Sequence, residues 1–272
     1  SISMFRDLSP WWLLAPDLYD VEVNEGIAQA DTTLSTFFSG KDFGLDILGA
    51  LEPGAQLVVT DNQFVDDVPQ PEIIFPAFAI IGTLQNSNQM QAELRRIFIS
   101  FVGFLNVVGA MEGNPLLDIE LVDSKKDRMI TTSFIPPLAG QPISVQYNFS
   151  PTILFKDDKL ILSSTRLLAE QLGEGNHAVA KSSPQNDREA NWTTNSYLTL
   201  AAAPLAAILQ KNREILITNN MLENSSARED AETQIDLLVS MVQLTNGLDI
   251  TIKSTSKQLA LSFDLKFQPN SK

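Results

Sequence analysis

The side chains able to do chemistry are few. The one histidine, His177, lies in the run Gly173-Glu-Gly-Asn-His177, and the chain has no cysteine. A Ser-His-acid triad would have to use His177, yet no Gly-x-Ser-x-Gly turn presents a nucleophilic serine. One imidazole without thiolates cannot supply the usual His/Cys ligands of a zinc site. Phosphate-cradling and dinucleotide glycine patterns are also missing, so no metal and no cofactor is expected. The lack of cysteine excludes disulfides and thiol nucleophiles but does not fix the compartment. Acidic pairs occur at Asp66-Asp67, Asp157-Asp158 and Glu229-Asp230. They fall in turns or at a helix start, where acids serve structure. A glycosidase can draw two carboxylates from distant positions, so a hydrolase using scattered carboxylates stands as an alternative. Asn148-Phe-Ser150, Asn191-Trp-Thr193 and Asn224-Ser-Ser226 match the glycosylation acceptor pattern, which matters only in a source that glycosylates.

Charge narrows the partners. The 272 residues carry 33 acidic and 19 basic side chains, a net charge of −14. Between Ser1 and Phe75 there are 13 acids against 2 bases, so most of the excess sits in the first quarter. Phosphate binding needs clustered Lys and Arg, so no nucleic acid and no anionic membrane surface is expected as partner. Solubility is the plain reading of the acid. Hydrophobic content of 44% with 19% charged residues marks a globular chain able to bury a sizeable core. The start, Ser1-Ile-Ser-Met-Phe-Arg, lacks the charged leader and cleavage site of a signal peptide and reads as trimmed, with room for an upstream anchor.

What the sequence offers instead of reactive groups is apolar surface. From about Gln89 to Met111 it predicts a helix that is apolar around most of its circumference beyond Ile97. Ile97, Phe98, Phe101, Phe104, Leu105 and Val108 are the candidate wall of an apolar groove, or else this is the central core helix. The longest apolar run, Ile97 to Ala110, is interrupted by Ser100, Gly103 and Asn106 and is too short to span a bilayer, so no membrane-spanning segment is expected.

The remaining elements follow from periodicity and breakers. Trp11 and Trp12 sit between Pro10 and Pro16, where neither a long helix nor a central strand is comfortable. Val23, Ile27, Ala30, Leu34, Phe37 and Phe38 step at helical spacing until Gly40. Phe43 to Leu51 suits a short helix, Pro53-Gly54 a turn, Gln56 to Thr60 a strand, and Ile73 to Leu84 a buried strand. A charged turn, Asp123 to Asp127, joins the hairpin Leu117 to Val122 and Met129 to Ile135; the chain then comes round through Pro136, Pro137 and Gly140 to the run Ile143 to Phe149. Thr152 to Phe155 and Leu160 to Leu162 form a hairpin about Lys156-Asp157-Asp158-Lys159. A helix capped by Ser163 or Ser164 follows and stops at Gly173. After a polar stretch come the strand Ser196 to Ala201, a helix opened by Pro204, and a helix opened by the capping box Ser226-Ala-Arg-Glu229. The last hairpin, Leu248 to Ile252 with Leu259 to Phe267, alternates as if one face were wet. Short turns between strands predict an α+β fold with a large, mostly antiparallel meander sheet covered by helices.

The polar stretch divides the chain into 1–172, a loop at 173–194, and 195–272. The order strand, helix, hairpin occurs at 73–135 and again at 196–267, and Leu117-Asp118-Ile119 answers Leu248-Asp249-Ile250, which points to two related halves. Asp118 and Asp249 read as exposed strand residues, not a catalytic pair.

Asp158-Lys-Leu-Ile-Leu-Ser-Ser-Thr-Arg-Leu-Leu-Ala-Glu-Gln171 resembles a phrase recurring in a family of uncharacterised bacterial envelope proteins, a domain of unknown function; Phe43-Gly-Leu-Asp-Ile-Leu-Gly-Ala-Leu51 and Gly247-Leu-Asp-Ile-Thr-Ile252 are similar to further segments of it. The likeness covers about two-thirds of the chain. It implies a periplasmic, envelope-associated or extracellular α+β protein and carries no active-site residue across. The expected function is therefore non-enzymatic: a module binding a macromolecular partner or an apolar small molecule, with a purely structural scaffold as a further alternative.

Overall fold

The computed structural model describes residues 1–38, 40–64, 70–85, 87–123, 127–137, 143–175, 193–255 and 257–267. The strands are β1 (Ile2–Met4), β2 (Leu51–Thr60), β3 (Ala77–Leu84), β4 (Leu117–Asp123), β5 (Asp127–Phe134), β6 (Thr152–Lys156), β7 (Lys159–Ser163), β8 (Thr193–Ala201), β9 (Thr245–Ser254) and β10 (Leu259–Phe267). The helices are α1 (Leu8–Leu13), α2 (Ala15–Leu18), α3 (Val21–Phe37), α4 (Ser87–Met111), α5 (Arg166–Glu174), α6 (Ala202–Lys211), α7 (Arg213–Asn224) and α8 (Arg228–Gln243).

The strands form one ten-stranded sheet in the order β10-β9-β8-β1-β2-β3-β7-β6-β5-β4, and each neighbouring pair is antiparallel. The expected α+β class is therefore present. The meander is interrupted twice: β3 pairs with β7, and β1 sits between β2 and β8. Through β1 the sheet runs unbroken from 1–172 into 195–272. The segments with similar element order are wired differently, since β8 lies beside β9 whereas β3 lies beside β7 and away from β4.

Local chemistry explains where elements begin and end. The β6–β7 hairpin turns at Asp157, whose φ of 53° a short polar side chain tolerates. Thr165, not either preceding serine, caps α5 by accepting from the Leu168 N–H. Ser163 and Ser164 are occupied elsewhere, accepting from the N–H groups of Thr165 and Phe78. The helix also runs past Gly173 and ends at Gly175, which takes the left-handed conformation at φ 76°. Gly173 is needed for a different reason: a Cβ there would come 2.7 Å from Leu154 Cδ2. Pro53-Gly54 is not a turn before β2 but lies within it, at the register shift between Leu51 and Ala55. Phe43–Ile47 and Leu48–Ala50 are short π and 3₁₀ turns, and the run around Ile143 holds the 3₁₀ turn Val145–Asn148. No capping box forms at α8: its N-cap is Ala227, and Ser226 instead hydrogen-bonds Asn220.

Alternation gives the sheet two faces. On the back, Leu168, Ala169 and Leu172 of α5 pack on Val58, Ala79, Ile81, Met129, Leu154 and Ile161. On the front, Leu94, Ile97, Phe98 and Val102 of α4 pack on Leu84, Leu117, Ile130, Ile153 and Phe155. A smaller cluster, Ile217, Ala231 and Ile235, holds α7 to α8. The face of α3 carrying Ile27, Ala30, Leu34 and Phe38 is half-buried, while Val23 is exposed.

Candidate functional site

The front face is where apolar side chains exceed what the core uses. Helix α4 is held there by polar contacts along its length. Glu93 receives Lys41 at 2.8 Å, Arg95 reaches Asp123 at 3.1 Å, and Gln91 donates to the Asp157 carbonyl. Further along, the Asn106 side chain accepts from the Leu117 N–H at 2.7 Å and donates to the Leu117 carbonyl at 2.8 Å, behaving like a short additional strand at the β4 edge. The helix is longer than its apolar run: Asn88–Met111, 24 residues, is long and apolar enough by length and composition to cross a bilayer. One of its sides is nevertheless committed to the sheet.

The six residues of the expected wall divide between the two sides of α4. Ile97 and Phe98 are buried against the sheet, and Leu105 packs half-buried on the same cluster. Phe101, Phe104 and Val108 face outward with Ile99, Val107 and Met111. The helix thus glues with one side and turns partly exposed apolar residues to the other.

A feature that sequence reading did not identify is the row crossing the sheet. In register, Phe263, Ile250, Leu198, Ile2, Leu57, Ile80, Leu162, Ile153, Ile130 and Leu121 occupy successive strands from β10 to β4, every one of them apolar. Directly paired residues share a face. Where α4 lies on the row, Ile153 and Ile130 are buried; away from it, Ile2, Ile80 and Leu162 are 42%, 49% and 43% exposed. Ile250, Leu198 and Leu57 are half-buried. From β10 to β7 this part of the row spans about 29 Å at the usual strand spacing. Leu248 and Leu200 beside it, and Val59 opposite Phe78, extend the surface. The front-facing positions of β10, β9, β8, β1 and β3 include no charged residue. The signal was available as alternation in each strand, but the alignment of strands distant in sequence was not.

The polar candidates do not converge. Asp157 and Asp158 form the β6–β7 turn, Glu229 and Asp230 lie in the first turn of α8, and Asp66, Asp67 and His177 lie outside the described residues. Among the described residues no group of three or more His, Cys, Asp or Glu side chains could hold a metal. Asp118 is exposed on β4, at the far end of the sheet from Asp249. Asp249, expected at the surface, is mostly buried on the back face. Burial pushes its carboxyl up, but hydrogen bonds from Lys266, Thr199 and Tyr197 outweigh this and hold its pKa below the ordinary aspartate value.

The acceptor pattern at Asn148 is likewise used for structure. Its side chain is buried, donates to the Ile73 and Val145 carbonyls and accepts from the Phe75 N–H. Asn212 binds the intervening residue in the same manner, accepting from Ile74 N–H and donating to Ile74 carbonyl, both at 2.8 Å. Asn191 lies outside the described residues, and Asn224 is exposed at the end of α7. A cavity of about 470 Å³ borders this clamp, between Gln63, Phe64, Glu72, Ile74 and Lys211. Lys211 is engaged there by Asp61 and the Asn62 carbonyl, which neutralises its pull on an anion. No family model, no curated protein and no solved structure matches this chain.

Proposed function

We propose that this chain is a non-enzymatic module of the bacterial envelope or extracellular space, and that the open front of its sheet binds an apolar ligand of the acyl-chain class. The observation that carries this reading is the in-register apolar row over seven strands from β10 to β7, in which Phe263, Ile2, Ile80 and Leu162 are exposed and Ile250, Leu198 and Leu57 half-buried. Apolar area removed from water contributes about 25 cal/mol per Å², or about 0.8 kcal/mol per methylene of a bound chain. The uncharged front positions of the exposed strands suit a hydrocarbon better than a protein, whose interfaces carry a polar rim and paired hydrogen bonds. Location follows the resemblance at 158–171.

Native mass spectrometry of the chain purified from its source tests the reading. A retained acyl-bearing molecule, released when the protein unfolds, is expected. Bare protein that also fails to take up a monoacylglycerol offered in excess would overturn it.

A further inference from the structure

The sheet ends in two unlike edges. At β4, Asn106 occupies both backbone groups of Leu117, and the strand carries Asp118, Glu120 and Asp123. At β10 the alternate residues Leu259, Leu261, Phe263 and Leu265 are between 51% and 70% exposed. The strand contains no proline, and its pairing is regular until the shift between Lys266 and Phe267. A long, regular, apolar edge is the kind that recruits another strand.

The hairpin fixes which backbone groups are available. Thr255 N–H donates to the Gln258 carbonyl at 2.9 Å, making 255 and 258 a hydrogen-bonded pair. Bonded and non-bonded pairs alternate along an antiparallel ladder. Leu259, Leu261, Phe263 and Leu265, paired with Ser254, Ile252, Ile250 and Leu248, therefore fall at non-bonded positions and turn their N–H and C=O groups to the open edge.

We propose that β10 pairs antiparallel with β10 of a second copy of this chain, about a two-fold axis at Ser262. The strand is self-complementary in that register. Leu261 meets Phe263 of the second copy, Leu259 meets Leu265, and their outward backbone groups form about eight hydrogen bonds. Asp264 falls opposite Ala260, so no acid stands against its own copy. The pairing uses the edge and leaves the front open, carrying the apolar row from one copy into the next. Because a two-fold contact consumes β10 on both sides, and the β4 edge is capped at Leu117 and carries Asp118, Glu120 and Asp123, assembly stops at the dimer. Net charge opposes association at long range, so the dimer tightens as salt screens it.

The test is sedimentation of the full chain together with crosslinking at the axis. The chain has no cysteine, so Ser262→Cys introduces a single thiol. The two copies of this non-bonded pair bring their Cα atoms to about 4.5 Å, within disulfide reach. Mild oxidation is expected to give a covalent dimer for Ser262→Cys and none for Asp118→Cys on the other edge. Leu261→Lys is expected to weaken the dimer by at least about tenfold, whereas Leu121→Lys at the β4 edge leaves it unchanged. A wild-type chain that is monomeric across its soluble range, Ser262→Cys that stays uncrosslinked, or Leu261→Lys that dimerises like wild type would each overturn the pairing. If Leu261→Lys fails to fold, the conservative cysteine variant decides alone. Occupation of the edge by an extended segment of another protein would appear as a wild-type monomer and overturn it too.

Discussion

Asn148 places all of its side-chain hydrogen bonds on the backbone of two separate segments, around Ile73 and Val145. Replacing it by alanine leaves two carbonyls and an N–H without that partner in a buried place, a loss of about 2–4 kcal/mol. Urea unfolding of Asn148→Ala measures this, and a loss below about 0.5 kcal/mol would show that the clamp does not hold the segment. Asp249 gives a pH dependence with a definite sign. Its folded pKa lies below the unfolded one, so between the two values the unfolded chain binds more protons and stability rises with pH. The contribution is present above about pH 4 and fades as pH falls through the folded pKa. Unfolding of Asp249→Asn across that range should show a shallower acid limb than wild type; an unchanged limb would remove Asp249 from the account. Neither role is legible in residue type. Asn148 matches a glycan acceptor in sequence, and Asp249 sits in a run where alternation alone predicts a wet position.

At the scale of elements, Gly173 and Thr165 separate signals that look alike in sequence. Gly173 follows Leu172 where a helix stop is expected, but it clears Leu154 while Gly175 performs the stop. Gly173→Ala gains helix propensity and still destabilises the protein by about 1 kcal/mol or more, because the added methyl must displace a buried leucine. Thr165→Ala costs about 1 kcal/mol through the lost cap, measured by the same unfolding. Should Gly173→Ala stabilise instead, the close approach of α5 to β6 is wrong. The hairpins, the long α4 and the antiparallel class were legible because apolar spacing and turn residues are local. The capping box at Ser226 failed because Ser226 bonds Asn220, a competitor six residues away that the four-residue pattern ignores. The placement of β1 between β2 and β8 is set by pairings between residues nearly two hundred positions apart, and no local period encodes them.

Taken as a whole, and among the described residues, α5 lies on the back of β3, β6 and β7, α4 lies on the front at β4 and β6, and α6 and α8 meet the sheet at β2 and β9. The expected wall on α4 was chosen because a helix apolar on most sides wants cover; the structure divides that wall into a packed side and an outward side. Both the wall and the row were written in the sequence as apolar residues, but only the strand order lines them into one surface. The most direct test is titration of the purified chain with the neutral dye N-phenyl-1-naphthylamine, for wild type and Ile80→Asp, both checked by circular dichroism. A charge at the centre of the row should weaken binding at least about tenfold without unfolding the sheet. Saturable dye binding to wild type, displaced by a monoacylglycerol and lost in Ile80→Asp, is the predicted result; no saturable binding, or equal binding by the two folded proteins, would contradict it.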